Sequence, residues 1–187
     1  SAIDDAHAAE RRAAALASPS ARELIESPEQ VAARWRGDVA RDITIHLGVG
    51  TVQSTVGYQD TTGNHSESAR SPRSSDSSIG ATLASLRDRA GTLPDAPIVG
   101  TVASGIGIVG RAVLAEAAAR AIIVQLAATL SPAEWSLTIP KDSAAPWCRL
   151  LPHRVIDTGD SSGFRFSAST RVVEVVTAPS VTSLPRG

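Results

Sequence analysis

The stretch that decides the fold reads GIGIVGRAVLAEAAARAIIVQLAATLSPAEWSLTI and spans Gly105–Ile139. Its middle part, Arg111–Leu130, contains so few polar residues that their positions on a helical wheel show where a helix would meet water. Glu116 and Arg120 fall on one narrow stripe, Gln125 falls roughly opposite, and apolar arcs lie between them. Such a helix is predicted to be covered on two sides, like an inner helix of a layered α/β domain.

Short strands are predicted on both sides of this helix. Ile106–Gly110 precedes it and Trp135–Ile139 follows it, and both are rich in residues that favour strands. Ser131-Pro132-Ala133-Glu134 has the pattern of a capping box with proline at the first helical position, which predicts one short turn before the second strand. The predicted order is therefore strand, helix, strand.

Upstream, helices come first and a strand follows. Asp4–Ala17 is rich in helix formers and lacks a wide apolar face, so we expect a solvated stalk helix. Ala21–Glu26 and Pro28–Trp35 are predicted as two short helices. Alternating apolar residues from Ile43 to Val49 then predict a strand with one buried face.

The region between the first strand and the central unit is predicted to be an insertion. Residues 61–80 contain seven serines. Their few apolar side chains would bury too little surface to offset the entropy lost on ordering. We expect a mobile, serine-rich insertion at about residues 54–91, with one exposed helix over Ala81–Gly91. Residues 1–36 are then a helical stalk or linker, and residues 37–187 are one α/β domain whose last strand is Arg171–Thr177.

Composition excludes several classes of function. Eighteen basic residues against nineteen acidic ones give a net charge of −1, so direct binding of nucleic acid is disfavoured. Cys148 is the single cysteine, which excludes an intramolecular disulfide and a multi-thiolate zinc site. Lys141 is the single lysine and has neither a preceding glycine nor a following Ser or Thr, so no phosphate-binding P-loop can be written. The apolar run Ala121–Ala128 falls short of the ~20 residues that a bilayer requires.

One motif supports a rival function. Gly105-Ile-Gly-Ile-Val-Gly110 has the form Gly-x-Gly-x-x-Gly ahead of a helix, and a dinucleotide could place its pyrophosphate over that helix N-terminus. In the nucleotide fingerprint, however, the glycines form the turn, whereas here the intervening residues read as the strand. An enzyme domain that binds a dinucleotide at Gly105–Gly110 remains the alternative.

Other candidate sites have structural explanations. Gly159-Asp-Ser-Ser-Gly163 is similar to the nucleophile motif of chymotrypsin-like proteases, but the helix-containing pattern contradicts a double barrel, so we expect Ser161 and Ser162 to lie in a turn. His7, His46, His65 and His153 show no paired spacing, so no metal site is predicted. Glu174 is assigned to the solvent face of the last strand. No catalytic, cofactor-binding or metal-binding residue is predicted.

Taken together, several motifs carry a resemblance to a known family. They are Ile45-His-Leu-Gly-Val-Gly-Thr51, Leu93-Pro-Asp-Ala-Pro-Ile98, Gly107-Ile-Val-Gly110 leading into a helix, Ser131-Pro132, and Trp147-Cys-Arg-Leu-Leu-Pro-His153. In this order the chain resembles the cytosolic segment that follows the membrane helices of actinobacterial FtsK/SpoIIIE-family ATPases, of the EccC kind found in type VII secretion. The Trp147–His153 run is the most specific part.

The resemblance implies a degenerate, RecA-like copy of the family's motor unit. Where a working motor has its P-loop, Val109-Gly110 passes directly to Arg111, and Thr177-Ala178-Pro179 replaces the magnesium-linked acid. We therefore expect no ATP hydrolysis and no cofactor for this segment, with ATP and magnesium used by the parent protein. The expected role is coupling or docking to neighbouring domains of the same chain and to other components of a translocation complex, on the cytoplasmic face of the membrane. A structural interaction module unrelated to secretion is a further possibility.

Overall fold

A computed structural model describes residues 2–29, 31, 35, 43–55, 74–140, 145–158 and 163–184. The chain divides into two compact units. The first contains Ser1–Ala17 and Val49–Ile98, and the second contains Ser18–Gly48 and Val99–Gly187. The predicted division at residues 36 and 37 lies outside the described residues.

A five-stranded mixed sheet forms the framework of the second unit. Its strands are β3 (Gly105–Val109), β4 (Ser136–Pro140), β5 (Arg154–Thr158), β6 (Phe164–Ser167) and β7 (Val172–Ala178). The order across the sheet is β3-β7-β6-β4-β5. β3 pairs parallel with β7 and β4 pairs parallel with β5, whereas β6 runs antiparallel to both β7 and β4. The chain is mixed α/β, as predicted.

The helix between β3 and β4 covers this sheet. It begins at Ala112 and ends at Thr129, and we label it α4. α4 packs on β7 and β3, and the short helix α2 (Ala21–Glu26) packs on α4. The predicted strand, helix and strand are all present, and β3 and β4 run in the same direction. They are not neighbours, however, because β7 and β6 lie between them.

The core of the second unit lies between α4 and one face of the sheet. Side chains that alternate along the strands are buried there, among them Leu137, Phe166, Val173 and Val175, all at most 1% exposed. On α4 they meet Ile123 and Leu126, each 0% exposed, and further residues of the same helix. Trp35 donates its indole N–H to the carbonyl oxygen of Ala127 at 3.1 Å. Burial of this apolar surface is the main source of the unit's stability.

The opposite face of the sheet is more polar. Thr138, Arg165, Glu174 and Gly105 stand in one cross-strand row, in which Arg165 and Glu174 form an ion pair at 3.3 Å. A short 3₁₀ turn, Val181–Ser183, follows β7. It is succeeded by a leucine, Leu184, that lies over Gly107 of β3. Leu184 therefore covers part of the more polar face at β3.

Two long strands form a separate antiparallel ribbon. They are β1 (Ile43–Gln53) and β2 (Thr92–Val102). Within the second unit, Leu47 of β1 lies over Gly100 of β2, where an added Cβ would meet the leucine Cδ1 at 2.9 Å. β2 includes Pro94 and Pro97, which a two-stranded ribbon tolerates at its free edges.

The first unit contains two helices, α1 (Ala2–Ala17) and α3 (Ser74–Gly91). The N-terminal helix is confirmed, but it is not a free stalk. His7 is buried and hydrogen-bonded to Ala90 O at 3.1 Å, and Glu10 accepts from Ser54 Oγ at 2.6 Å. The helix was predicted to be solvated because it lacks a wide apolar face. These polar contacts hold it in the first unit instead.

The serine-rich insertion is described only in its second half. Residues 56–73 lie outside the described residues. From Ser74 the chain is helical, so α3 begins seven residues before the predicted Ala81. It ends at Gly91, as predicted. The proposed boundaries of the insertion stay a prediction.

Candidate functional site

The junction between β3 and α4 is where a nucleotide would be held if the chain bound one. β3 ends at Val109, Gly110 forms a bend, and Arg111 occupies the N-cap position of the helix. Because β7 runs parallel beside β3, with Val109 opposite Ala178, the carboxyl ends of both strands lie at the same edge of the sheet. Ligands of open α/β sheets bind at such edges.

The turn at this junction is too short to form a phosphate cradle. Gly110 donates its backbone N–H to Ala178 O at 3.1 Å, so the ladder with β7 continues to the last residue before Arg111. A phosphate-binding loop requires several backbone N–H groups that point at the ligand. Here the glycine N–H is already used, and the Gly110-Arg111 turn carries no hydroxyl group for magnesium.

Two of the three glycines in the Gly-x-Gly-x-x-Gly motif serve the packing of the strand. A Cβ added at Gly105 would lie 2.8 Å from the carbonyl oxygen of Glu174, and one added at Gly107 would lie 2.8 Å from Leu184 Cδ1. Gly110 has no neighbouring atom within 4 Å of an added Cβ. Close approach of the β7 backbone therefore explains Gly105, whereas Gly107 lies against the end of a flexible leucine side chain. Only Gly110 lies in the turn.

The first turns of α4 are apolar and exposed. Arg111 has φ −62° and ψ 134° at the N-cap position, and its side chain makes no capping hydrogen bond. Its carbonyl oxygen accepts from the N–H groups of Leu114 and Ala115. Val113 is 80% exposed and Leu114 is 67% exposed. This end of the helix presents aliphatic side chains to solvent, and β7 ends in Ala178-Pro179 without an acid.

The histidines are separated in the structure. His7 is buried in the first unit, and His153 is buried in the second. His46 lies on β1, where its Nδ1 is 3.1 Å from Ser18 O. His65 lies outside the described residues. Within the described ranges, no group of three or more His, Cys, Asp or Glu residues could hold a metal ion.

His153 occupies an apolar site at the end of α4. Its Nε2 donates to Leu130 O at 3.0 Å, and its ring lies edge-on to Phe166 at 5.3 Å. Nδ1 has no hydrogen-bond partner among the described residues. Burial lowers the pKa of His153, although its hydrogen bond to Leu130 opposes that shift. The imidazole is therefore held neutral, which makes it a core residue that joins α4 to β5.

Cys148 and Glu174 have no arrangement for catalysis. Cys148 is 0% exposed, and burial raises the pKa of its thiol to about 11, so the thiolate needed for nucleophilic chemistry is disfavoured. Glu174 lies on the more polar sheet face and pairs with Arg165. Ser161 and Ser162 lie outside the described residues.

Gln125 does not face water, although its position on the helical wheel predicted a water-facing side of the helix there. It is 5% exposed, and its amide forms two hydrogen bonds with the backbone of His46. Oε1 accepts from His46 N at 2.6 Å, and Nε2 donates to His46 O at 3.0 Å. The side chain thus acts as a neighbouring strand would and holds β1 on α4. A single glutamine among the apolar residues of this half of the helix is the sequence feature that could have predicted a buried polar contact.

No protein-family model and no curated protein matches this sequence. Within the described residues, α4 alone meets the length and composition of a membrane-spanning helix, a test that core helices of other proteins also meet. Eight residues of α4 are buried within the protein.

Proposed function

We propose that this chain is a non-catalytic, ATPase-like domain of a membrane-anchored FtsK/SpoIIIE-family translocation ATPase of the EccC kind. The carrying observation is the β3–α4 junction, at which a strand passes through Gly110 and Arg111 into a core helix without a phosphate loop. The motor unit of that family has the same order of strand, helix and strand. A domain that kept this order and lost the loop would transmit movement or bind partners instead of hydrolysing ATP.

The position of β7 supports the RecA-like part of this proposal. In a working motor, the strand that bears the magnesium-linked acid ends close to the P-loop, because both groups act on the same metal and phosphates. β7 lies directly beside β3 and ends at the same edge of the sheet. It carries Ala178 and Pro179 there instead of an acid. The antiparallel strand β6 departs from an all-parallel motor sheet.

The exposed start of α4 supports a docking role. Val113 and Leu114 lie on successive positions of a helix whose first half has little cover, and exposed aliphatic groups of this kind are typical of interaction surfaces. The partner we propose is a neighbouring domain of the same chain or another component of a translocation complex. A net charge of −1 disfavours direct contact with DNA. ATP and magnesium are assigned to the parent's motor domains, and this segment to the cytoplasmic face of the membrane.

The test uses the full-length parent protein in membranes. Val113→Asp combined with Leu114→Asp places two charges on the exposed start of α4, and Leu150→Asp is the matched control at a leucine that is 86% exposed elsewhere. We expect the double variant to stop translocation while the parent still hydrolyses Mg-ATP, and the control to retain both activities. Normal translocation by the double variant would overturn the docking role. A parent chain without membrane helices or intact P-loops would overturn the family assignment.

The rival enzyme function has a separate test. The placement of Gly105 and Gly107 within β3 weighs against a dinucleotide site, because neither glycine lies in the turn before α4. A ligand that binds only the folded state must raise the melting temperature. We expect NAD, NADP and Mg-ATP to leave it unchanged. A concentration-dependent rise with NAD or NADP that Gly110→Val abolishes would favour the dinucleotide enzyme.

A further inference from the structure

The first unit contains a cavity that the proposed function does not use. Its volume is ≈ 380 Å³, within the range of about 300–1,000 Å³ typical of small-molecule sites. Its lining comes from α1, from the last turn of α3, and from residues of β1 and β2 that belong to the same unit. The charged lining residues are Asp4, Arg11, Asp88 and Arg89, with His7 beside them.

Two of these charges neutralise each other and two do not. Asp4 and Arg89 form an ion pair. Arg11 donates one N–H to Pro94 O at 3.3 Å but forms no ion pair with any described residue. Asp88 likewise has neither an ion pair nor a hydrogen bond within the described part of the chain. A guanidinium and a carboxylate thus line one cavity more than 4.0 Å apart, without bridging each other.

His7 adds a hydrogen-bond acceptor to the lining. It is 5% exposed, and its Nε2 lies 3.1 Å from the carbonyl oxygen of Ala90. A carbonyl oxygen only accepts, so Nε2 carries the hydrogen, and Nδ1 is an acceptor whenever the ring carries a single hydrogen. Nδ1 has no hydrogen-bond partner among the residues that the structure describes. Because it is not a buried atom without a partner, Nδ1 is open to the cavity, where it can accept a hydrogen bond from a ligand.

We propose that this cavity binds a small zwitterion, namely a free α-amino acid. The ammonium group of such a ligand would be neutralised by Asp88 and would donate a hydrogen bond to His7 Nδ1. Its carboxylate would be bound by the remaining N–H groups of Arg11, whose fork matches a carboxylate. The ligand would complete the charge pairing that the cavity itself lacks. The inference is independent of the proposed function.

To test this proposal, the intact chain is titrated separately with L-leucine, L-alanine and L-glutamine. Binding is measured by calorimetry and by changes in the amide NMR shifts. We expect saturable binding by at least one of the three, with shift changes at His7 and Asp88. N-acetyl-L-leucine lacks the ammonium charge, and L-leucine methyl ester lacks the carboxylate. Each derivative of a binding amino acid should bind at least about tenfold more weakly, because a charge-assisted hydrogen bond is lost.

Variants locate the site and control for misfolding. Arg11→Gln and Asp88→Asn should each weaken binding by about tenfold or more, whereas Arg11→Lys should retain part of it. Arg12→Gln is the matched control, because Arg12 neighbours Arg11 in sequence and does not line the cavity. No saturable binding of any of the three amino acids up to about 10 mM would overturn the proposal. So would equal binding of the N-acetyl derivative, or binding that Arg11→Gln leaves unchanged while the variant melts like the wild type.

Discussion

The two halves of α4 have similar composition and opposite surroundings. In Ala112–Arg120, seven of nine residues are exposed, whereas in Ala121–Thr129 six of nine are buried and none is exposed. Both halves consist largely of alanine and aliphatic residues. Apolar composition therefore predicts that α4 is a core helix, but it does not predict which half of the helix is buried. The bare half adjoins the β3–α4 junction, where our proposal places a partner.

The largest expected effect comes from a matched pair of leucines on α4. Leu126 is 0% exposed and Leu114 is 67% exposed. Leu126→Ala should lower the free energy of unfolding by about 2–5 kcal/mol, because it leaves a cavity in the core. Leu114→Ala should change it by less than about 0.5 kcal/mol. Urea unfolding followed by circular dichroism measures both, and equal losses would show that the N-terminal half is also covered in solution.

A smaller loss is expected when the polar contact of the buried half is removed. Gln125→Leu keeps the volume but leaves the backbone N–H and C=O of His46 without their partners. Stability should fall by about 1–3 kcal/mol. Glu116→Gln on the exposed half is the control and should be nearly neutral. If Gln125→Leu were as stable as the wild type, the amide contact would not hold β1 on the helix.

The exposed half should be stabilised by a change at the N-cap residue that precedes it. Arg111 occupies the N-cap position without a side-chain cap. Arg111→Ser supplies a hydroxyl acceptor for the free N–H groups and should raise stability by about 1 kcal/mol, while Arg111→Ala should not. Thermal melts of the three proteins make the comparison. Destabilisation by serine would indicate that the arginine side chain contributes to the fold.

The smallest effect concerns pH and the buried end of α4. The pKa of His153 is lowered in the folded protein, so the unfolded chain takes up its proton first as the pH falls. The stability associated with the neutral ring is fully present above the unfolded pKa of about 6.5 and is lost as the pH falls towards the folded value. Unfolding free energies from pH 8 to pH 5 should decline more for the wild type than for His153→Gln. Identical declines would contradict a buried neutral imidazole.

Periodicity and capping signals predicted the elements that have a strong local pattern. α2, β1, the core helix α4 and the final strand β7 lie within a few residues of their predicted bounds. Each has either a helical stripe, a strand alternation or a recognisable cap. The mixed α/β class follows from these elements alone.

The rest depended on contacts distant in the sequence. β5 and β6 were not predicted, because these short strands, unlike β3 and β4, do not flank the strongly apolar helix that indicated a strand–helix–strand unit. β6 inserts antiparallel between β7 and β4, which no local signal indicates. Burial of His7 and Gln125 also escaped prediction, since each depends on a single backbone partner far along the chain.

The candidate site could be predicted in part. The sequence predicts no P-loop at Gly110-Arg111, and this stays a prediction. The placement of β7 beside β3 could not be predicted, because strand order is set by packing over more than sixty residues. Likewise, Arg11 and Asp88 come to line the same cavity only when α1 and α3 pack together in the folded unit.

The most direct test of the central claim is a calorimetric titration of the purified chain with Mg-ATP. We expect no saturable binding, because the turn between β3 and α4 consists of Gly110 and Arg111 only and has neither a lysine nor a hydroxyl group to hold a triphosphate and its magnesium. Saturable binding that Gly110→Val abolishes would contradict the central claim.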